Sequence, residues 1–323
     1  MYIIGFDGGG SKTRCVVGDY KGNILADILG GPSNHQSCGP QETKRVINSL
    51  LDEALDASSL SQSDLSYAFL GLAGADLPDD FKMLYSLLEP VFKEIPIKIV
   101  NDAWIIMRSG TKSPWGAVCI CGTGSNSGAA HPDGNQAILR SLGYDLGNYG
   151  GGGDMASEAL HYAFRADEKT GPGTMLEEQL PAIFGLADMD KLVGMFYPKR
   201  VPDIYPKIKE IPPLVFELAS KGDRVCQDIL ISMGDILGDM TAGVIKRVNI
   251  QDMEVPVVLG GSVFSGENPL FIDAFKMTIH RTAPRAHIIL PDLAPVAGAY
   301  LYGLDTLKIA TNKQVYDNLA ASI

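Results

Sequence analysis

The sequence predicts an α/β protein of two similar lobes, and three observations carry that prediction. Strand-like apolar runs alternate with amphipathic helical stretches through most of the chain. A length of 323 residues exceeds what one hydrophobic core comfortably organises, so two domains are expected. One hairpin device also occurs twice. "FDGGGSKTRCVVGDYKGNILA", from Phe6, and "ICGTGSNSGAAHPDGNQAIL", from Ile120, each read as apolar strand, glycine and hydroxyl turn, second strand, Gly-Asn turn and apolar restart. Their separation, roughly 110 residues, is too long for a solenoid repeat and suits two lobes that open alike.

In chain order, "YIIGFDGGG", "TRCVVGDY" and "ILADILGG" form three short strands of an antiparallel meander turned by glycines. "GPQETKRVINSLLDEALDAS" then spaces Val46, Ile47, Leu50, Leu51 and Leu55 along one face of a helix and its charges along the other. "SYAFLGLAGAD" is a buried strand running into a small-residue turn, "DDFKMLYSLLEPVF" a helix, and "IPIKIVND" a strand ending at Asn101 and Asp102. The apolar pattern breaks at "SGTKSPWG", which places the lobe boundary near Gly110 to Pro114. The first lobe is then 1–112 and the second 113–303, with a terminal helix in 304–323 packing back on the first. "DMASEALHYAFRADE", "TMLEEQLPAIFG", "MDKLVGMFYP" and the stretch from "IPPLVFELAS" to "AGVIKRV" make a helical block inside the second lobe. The strand "EVPVVLGGSVF", the helix "PLFIDAFKMTIHRTA", the short strand "AHIIL" and the helix "APVAGAYLYGLDTL" follow.

Composition narrows the functional classes. A formal net charge of -11 disfavours nucleic-acid binding, which needs a basic footprint on the phosphate backbone. No apolar run approaches the roughly 20 residues that cross a bilayer, and the start of the chain enters a strand rather than a secretory signal. No membrane association and a cytoplasmic location are therefore expected. The five cysteines are odd in number and contain no C-x-x-C, so buried free thiols are expected rather than a zinc site.

The motifs point to an anion site. "GFDGGGSKT" is followed by a strand, so it is neither a Walker loop nor a G-x-G-x-x-G turn, both of which lead into a helix. What remains is a hairpin whose Gly8, Gly9 and Gly10 can bring backbone N–H groups to an anion, beside the Ser11 and Thr13 hydroxyls and the Lys12 ammonium. Asp7 reads either as a cap of this turn or as a carboxylate holding a hydrated magnesium ion that bridges phosphate oxygens. "CGTGSNSG" repeats the donors without a carboxylate, and Thr123, Gly124 and Ser125 suit the other side of a polyphosphate. In "VVLGGSVF", Gly260 and Gly261 either let backbone lie flat under a purine or turn the chain from strand to helix. Asp102 stands at a strand end, where it is either a general base or the N-cap of the helix that follows.

"GFDGGGSKT", "GPSNH", "LGLAGAD", "VND", "CGTGSN" and "LGGSV", in this order and at these separations, resemble the N-acetylglucosamine kinases and the related ATPases that activate benzoyl-CoA reductases and 2-hydroxyacyl-CoA dehydratases. Both belong to the superfamily of actin, sugar kinases and heat-shock chaperone ATPases. The resemblance implies two ribonuclease-H-like lobes around a nucleotide cleft, the actin-like ATPase fold, with ATP and Mg2+ between the hairpins. It implies that Asp7 organises the metal, through water, and that Gly9, Gly10, Ser11 and Thr13 form the first phosphate loop. Gly122, Thr123 and Gly124 would form the second, Gly260 and Gly261 would meet the adenosine, and Asp102 would be the catalytic base. The sugar side would come from Asn34 and His35 of "PSNH", Gly74 of "AGAD", Asp102, and Gly143, Tyr144 and Asn148. The last segment departs from the family pattern G-W-G-x-x-x-G-D-E-G-S. Leu142 stands at the tryptophan, Asn148 replaces the aspartate and Tyr149 the glutamate. Asparagine still donates and accepts, but without the charge that strengthens a bond to a sugar hydroxyl.

The expectation is an ATP-dependent kinase acting on a small-molecule amino sugar, at the 6-hydroxyl of N-acetylglucosamine or a relative, in a homodimer as is common among relatives. Two alternatives stand beside it. An activator ATPase would share an iron-sulfur cluster between subunits and need exposed thiolates. A sugar or nucleotide sensor would bind without turnover.

Overall fold

Two five-stranded sheets repeat one topology. In the first, β1 (Tyr2–Gly8), β2 (Thr13–Asp19) and β3 (Ile24–Gly30) form the antiparallel meander, and β4 (Leu65–Leu72) and β5 (Ile97–Asn101) add in parallel beyond β1, giving the order β3-β2-β1-β4-β5. In the second, β6 (Gly116–Cys121), β7 (Ser125–Ala130) and β8 (Gln136–Ile138) form the meander and β9 (Pro256–Gly260) and β10 (His287–Ile289) the parallel half, in the order β8-β7-β6-β9-β10. The computed structural model describes residues 1–197 and 204–323, so Pro198 at the end of the predicted "MDKLVGMFYP" helix lies outside the described residues.

The first sheet is accompanied by α1 (His35–Cys38), α2 (Pro40–Ser58) and α3 (Pro78–Phe92), and α4 (Asp102–Gly110) leads out of it. The second carries α5 (Gly152–Asp167), α6 (Leu176–Ile183), α7 (Met189–Phe196), α8 (Ile204–Ile208), α9 (Ile211–Ser220), α10 (Arg224–Arg247) and α11 (Pro269–Thr282), and the chain continues through α12 (Pro295–Thr306) and α13 (Lys313–Ser322). No helix among the described residues is long and apolar enough to cross a membrane.

Strand alternation decides which helices each sheet collects. Ile4 and Phe6 of β1 and Cys15 and Val17 of β2 share a core with Ile47, Leu50, Leu84 and Phe92 of α2 and α3. Ile3 and Val16, on the other face, meet Val296, Tyr300 and Leu304 of α12 and Val315 and Leu319 of α13. Ala117, Cys119 and Cys121 of β6 likewise face the helical block, whereas Val118 joins Ile105, Ile106 and Met107 of α4, Phe69 of β4 and Val258 of β9 in a core shared by the two lobes.

Helix α12 departs from the sequence expectation. It follows the last strand of the second sheet but packs on the first, and the boundary expected after residue 303 falls inside it. Small residues make that seat possible: α12 crosses α4 so closely that a side chain at Gly298 would collide with the Ile105 carbonyl oxygen. The fully buried Arg108 of α4 then fastens the crossing, with Nε donating to Asp305 of α12 at 2.6 Å and Nη1 to the Tyr316 hydroxyl of α13 at 2.8 Å.

Candidate active site

The strand ends of the first sheet gather three carboxylates. Asp7 lies in the last turn of β1 beside Gly71 of β4, Asp76 in the turn after β4, and Asp102 directly after β5. Asn101, rather than Asp102, caps α4: its Oδ1 accepts the Ala103 N–H at 3.0 Å while its Nδ2 donates to Asp76 Oδ1 at 2.8 Å. Asp102 is thereby left as the first helical residue. Burial, then the charges of Asp7 and Asp76, push its carboxyl up to about 7, and the amides of Ala103 and Asp102 pull it back. Burial also raises Asp7 to about 6 against the lowering pull of Lys12 and Arg14. Asp76 is raised by burial as well, with Gln36 and Asn101 opposing through hydrogen bonds.

The segment around Asn34 closes over this group. Gly9 O accepts the N–H groups of Ser33 at 3.0 Å and Asn34 at 3.2 Å, which ties "PSNH" to the first hairpin. Asn34 Oδ1 accepts the Gln36 N–H at 2.9 Å, and Gln36 Nε2 reaches Gly74 O and Asp76 Oδ2, both at 3.2 Å. Gly74, with φ of 86°, leaves no room for a side chain: a β-carbon there would lie 2.5 Å from Asn34 Oδ1. His35 Nε2 lies 3.1 Å from Asp80 Oδ1, and its Nδ1 is buried without a partner. Asp7, Gly9, Asn34, His35, Gly74 and Asp102 thus form one group. Within the hairpin, Gly10 and Ser11 are exposed at the tip, and the Gly9 N–H is used by Lys12 O at 3.0 Å. Thr13 is not at the surface: it is fully buried and donates its hydroxyl to Ser33 Oγ at 2.7 Å, supporting the loop from beneath.

The second hairpin rests on a helix end. Gly122 N–H donates to Gly124 O at 2.9 Å, while Gly152 N–H and Gly153 N–H of α5 donate to Gly122 O at 2.8 Å and Thr123 O at 2.9 Å. Asp154 Oδ2 accepts from Gly150 and Gly151, each at 2.9 Å, and so caps α5. Thr123 and Gly124 are left exposed. Beside them opens a cavity of about 420 Å3, with Thr123, Gly153, Pro212, Phe216, Val263 and Ser265 in its wall. Gly260 and Gly261 stand behind this wall rather than in it. A β-carbon on Gly260 would lie 2.7 Å from Ile106 of α4, and one on Gly261, at φ of 93°, would strike the Cys121 carbonyl.

Gly143, Tyr144 and Asn148 share one loop on the second lobe. Asn148 Nδ2 donates to Ser125 O at 3.1 Å and its N–H to Gly143 O at 3.0 Å. Tyr144 projects from the tip, 75% exposed, and Tyr149 beneath it donates to Glu158 Oε1 at 2.6 Å. Among the described residues no hydrogen bond joins this loop to the first-lobe group. The sequence motifs gave no individual role to Asp76, the last residue of "LGLAGAD", or to Gln36, which follows "PSNH". They also gave none to Asp154, whose position three residues after Gly151 is a capping-box spacing.

A family model described as the BadF/BadG/BcrA/BcrD ATPase family matches residues 4–303. The chain belongs to that family. It is 29% identical over 288 residues to the N-acetylmuramic acid/N-acetylglucosamine kinase of Clostridium acetobutylicum, covering 89% of this chain and 93% of the relative. It is also 29% identical over 316 residues to the N-acetyl-D-glucosamine kinase of Dictyostelium discoideum, covering 95% and 98%. Among solved structures, one provisionally named as an N-acetylglucosamine kinase, from Chromobacterium violaceum, superposes with a TM-score of 0.67 at 21% identity, covering 93% of this chain and 98% of that one. The likeness places the two lobes of this ATPase-family chain in the actin-like fold of sugar kinases. Of its five cysteines, Cys15, Cys119, Cys121 and Cys226 are buried, and burial raises the thiol of each; Cys38 alone is half-buried, and its thiol donates to the Asn34 carbonyl at 3.2 Å.

Proposed function

We propose that the chain is an ATP-dependent kinase that phosphorylates a hydroxyl, the 6-hydroxyl, of an amino sugar such as N-acetylglucosamine. The observation that carries this reading is Asp102, a carboxylate at a strand end whose helix is capped by its neighbour and whose carboxyl is pushed up to about 7. A base poised near neutrality is matched to taking a hydroxyl proton in the transition state. The names of the two relatives, each aligned over most of its length, support the same reading.

In this account Asp102 accepts the proton as the sugar oxygen attacks the terminal phosphorus in line with the leaving oxygen. Asn34, His35 and Gly74 orient the sugar from the first lobe, and Gly143, Tyr144 and Asn148 meet it from the second as the lobes close and exclude water. Gly9, Gly10 and Ser11, held by Thr13, face Gly122, Thr123 and Gly124 across the phosphates. The purine enters the cavity beside Phe216, and Gly260 and Gly261 lead into its wall at Ser262 and Val263. The crowded carboxylates suit a hard dication with oxygen ligands. Among the described residues no three such side chains enclose an ion, so Asp7 would hold magnesium through water. Bound there, magnesium would neutralise charge on the phosphate oxygens. A cytoplasmic homodimer belongs to the same reading.

The test is ADP release over a panel of hexoses, hexosamines, N-acetylhexosamines and N-acetylmuramate. Release that depends on an N-acetylated amino sugar is expected. Hydrolysis indifferent to every sugar would favour the activator ATPase that the family name also covers, and iron in the purified protein would establish it.

A further inference from the structure

A second cavity, of about 330 Å3, lies between the end of β8, the loop 141–148 and the last residue of α10. Its wall includes Arg140, Ser141, Gly147, Asn148 and Arg247. The chain has 38 acidic residues against 27 basic ones, so carboxylate partners for an arginine are plentiful. Yet among the described residues neither arginine is in an ion pair. Both side chains are exposed: Arg247 gives one Nη1–H to the Ile138 carbonyl at 3.2 Å, and among the described residues the Arg140 guanidinium has no hydrogen-bond partner. Ser141 also belongs to the wall, and its Oγ is buried without a hydrogen-bond partner, a state that native structures rarely leave unexplained. Ser141 also holds φ at 54°, the left-handed region that a β-carbon disfavours. Such strain persists where the surrounding structure imposes it and tends to gather at ligand sites.

We propose that this cavity is a subsite for an oxyanion carried on a sugar, either the carboxylate of an acidic amino sugar taken as substrate or the phosphoryl group of a sugar phosphate. A guanidinium fork meets either group through two parallel N–H···O bonds, and the Ser141 hydroxyl, once turned toward the cavity, would supply a further donor. The volume suits a small ligand fragment. Asn148 sets the subsite against the loop proposed to meet the sugar, so a neutral N-acetylhexosamine leaves it to water. The sugar half of this inference rests on the kinase reading; the anion half rests on the cavity.

Calorimetric titration of the full-length protein without nucleotide tests it, using N-acetylmuramate, N-acetylglucosamine 6-phosphate, neutral N-acetylglucosamine and inorganic phosphate as probes. The wild type is expected to bind at least one anionic sugar roughly tenfold more tightly than N-acetylglucosamine, as a charge-assisted pair warrants. In the Arg140→Gln, Arg247→Gln double variant that preference should vanish while N-acetylglucosamine binding and ADP release stay unchanged. Preference for N-acetylmuramate assigns the subsite to a substrate carboxylate, and preference for the 6-phosphate assigns it to a phosphoryl group. Equal binding of neutral and anionic sugars, a preference that the double variant keeps, or binding of inorganic phosphate alone overturns the proposal. The single Arg140→Gln variant breaks no hydrogen bond of the fold and guards against a folding artefact. An arginine-dependent preference without sugar-stimulated ADP release would sink the kinase reading and leave the subsite standing. Sugar-stimulated release without that preference would do the reverse.

Discussion

The turn between β1 and β2 and the turn between β6 and β7 occupy equivalent places in two sheets of the same order. The first carries charge: Asp7 enters it, Lys12 lies in it and Arg14 leaves it, and the space around Gly10 is open to 4 Å. The second has no ionisable side chain from Gly122 to Ser125 and is braced from behind by the first turn of α5. One backbone plan therefore serves two physical tasks. The first hairpin adds the charge of Asp7 to the burial that raises Asp102, and the second is an uncharged turn held in place by packing on the first turn of α5.

Charge should matter most where it is concentrated. Asp7→Asn is expected to lower sugar-dependent turnover by about 10²–10³-fold, the scale of losing one preorganised electrostatic group. Steady-state ADP release at saturating magnesium measures it, and a loss under threefold would erase the distinction between the hairpins.

The same crowding should appear as a stability effect. The folded value of Asp102, about 7, lies above its ordinary 3.8, so the fold favours the uncharged acid. That contribution is fully present below about pH 4 and is lost as pH rises through 7. The uncharged Asp102→Asn variant should therefore be more stable than wild type at pH 8 by ~4 kcal/mol, with the difference mostly gone at pH 4. Urea midpoints across this range report the trend, and a constant offset would contradict it.

Smaller effects should separate the two turns by packing. A β-carbon at Gly151 would stand 2.6 Å from the Gly124 α-carbon, backbone against backbone. Gly151→Ala should cost about 1–3 kcal/mol and loosen nucleotide binding at the second hairpin. Gly10→Ala meets nothing within 4 Å and should stay within about 0.5 kcal/mol of wild type. Paired unfolding curves and nucleotide titrations would show whether only the braced turn responds.

The sheets were legible because their signal is local. Glycine turns and alternating apolar residues mark each meander, and the recurrence of the pattern anticipates the common strand order. Helix α12 was not legible in the same way: its seat depends on Gly298 meeting α4, a partner nearly 200 positions away in sequence. The site divides likewise. Asp7, Gly74 and Asp102 stand at or just past the ends of the neighbouring strands β1, β4 and β5, and Asn34 is tied to them through Gly9; their residue types alone left Asp7 and Asp102 open between cap and functional group, and the motif resemblance drew all four into one cleft. Gly260 and Gly261 are small for the sake of Ile106 and the Cys121 carbonyl, and a glycine in a sequence does not say whether it makes room for a ligand or for the protein itself. Thr13 shows the same ambiguity for a hydroxyl, since its partner is Ser33.

Single-turnover transfer by Asp102→Asn, with nucleotide binding measured on the same sample, tests the central claim most directly. The account predicts nucleotide affinity near wild type and sugar phosphorylation slowed by about 10²–10⁴-fold, the range for loss of a general base. Transfer at near wild-type rate by a variant that binds nucleotide normally would contradict it.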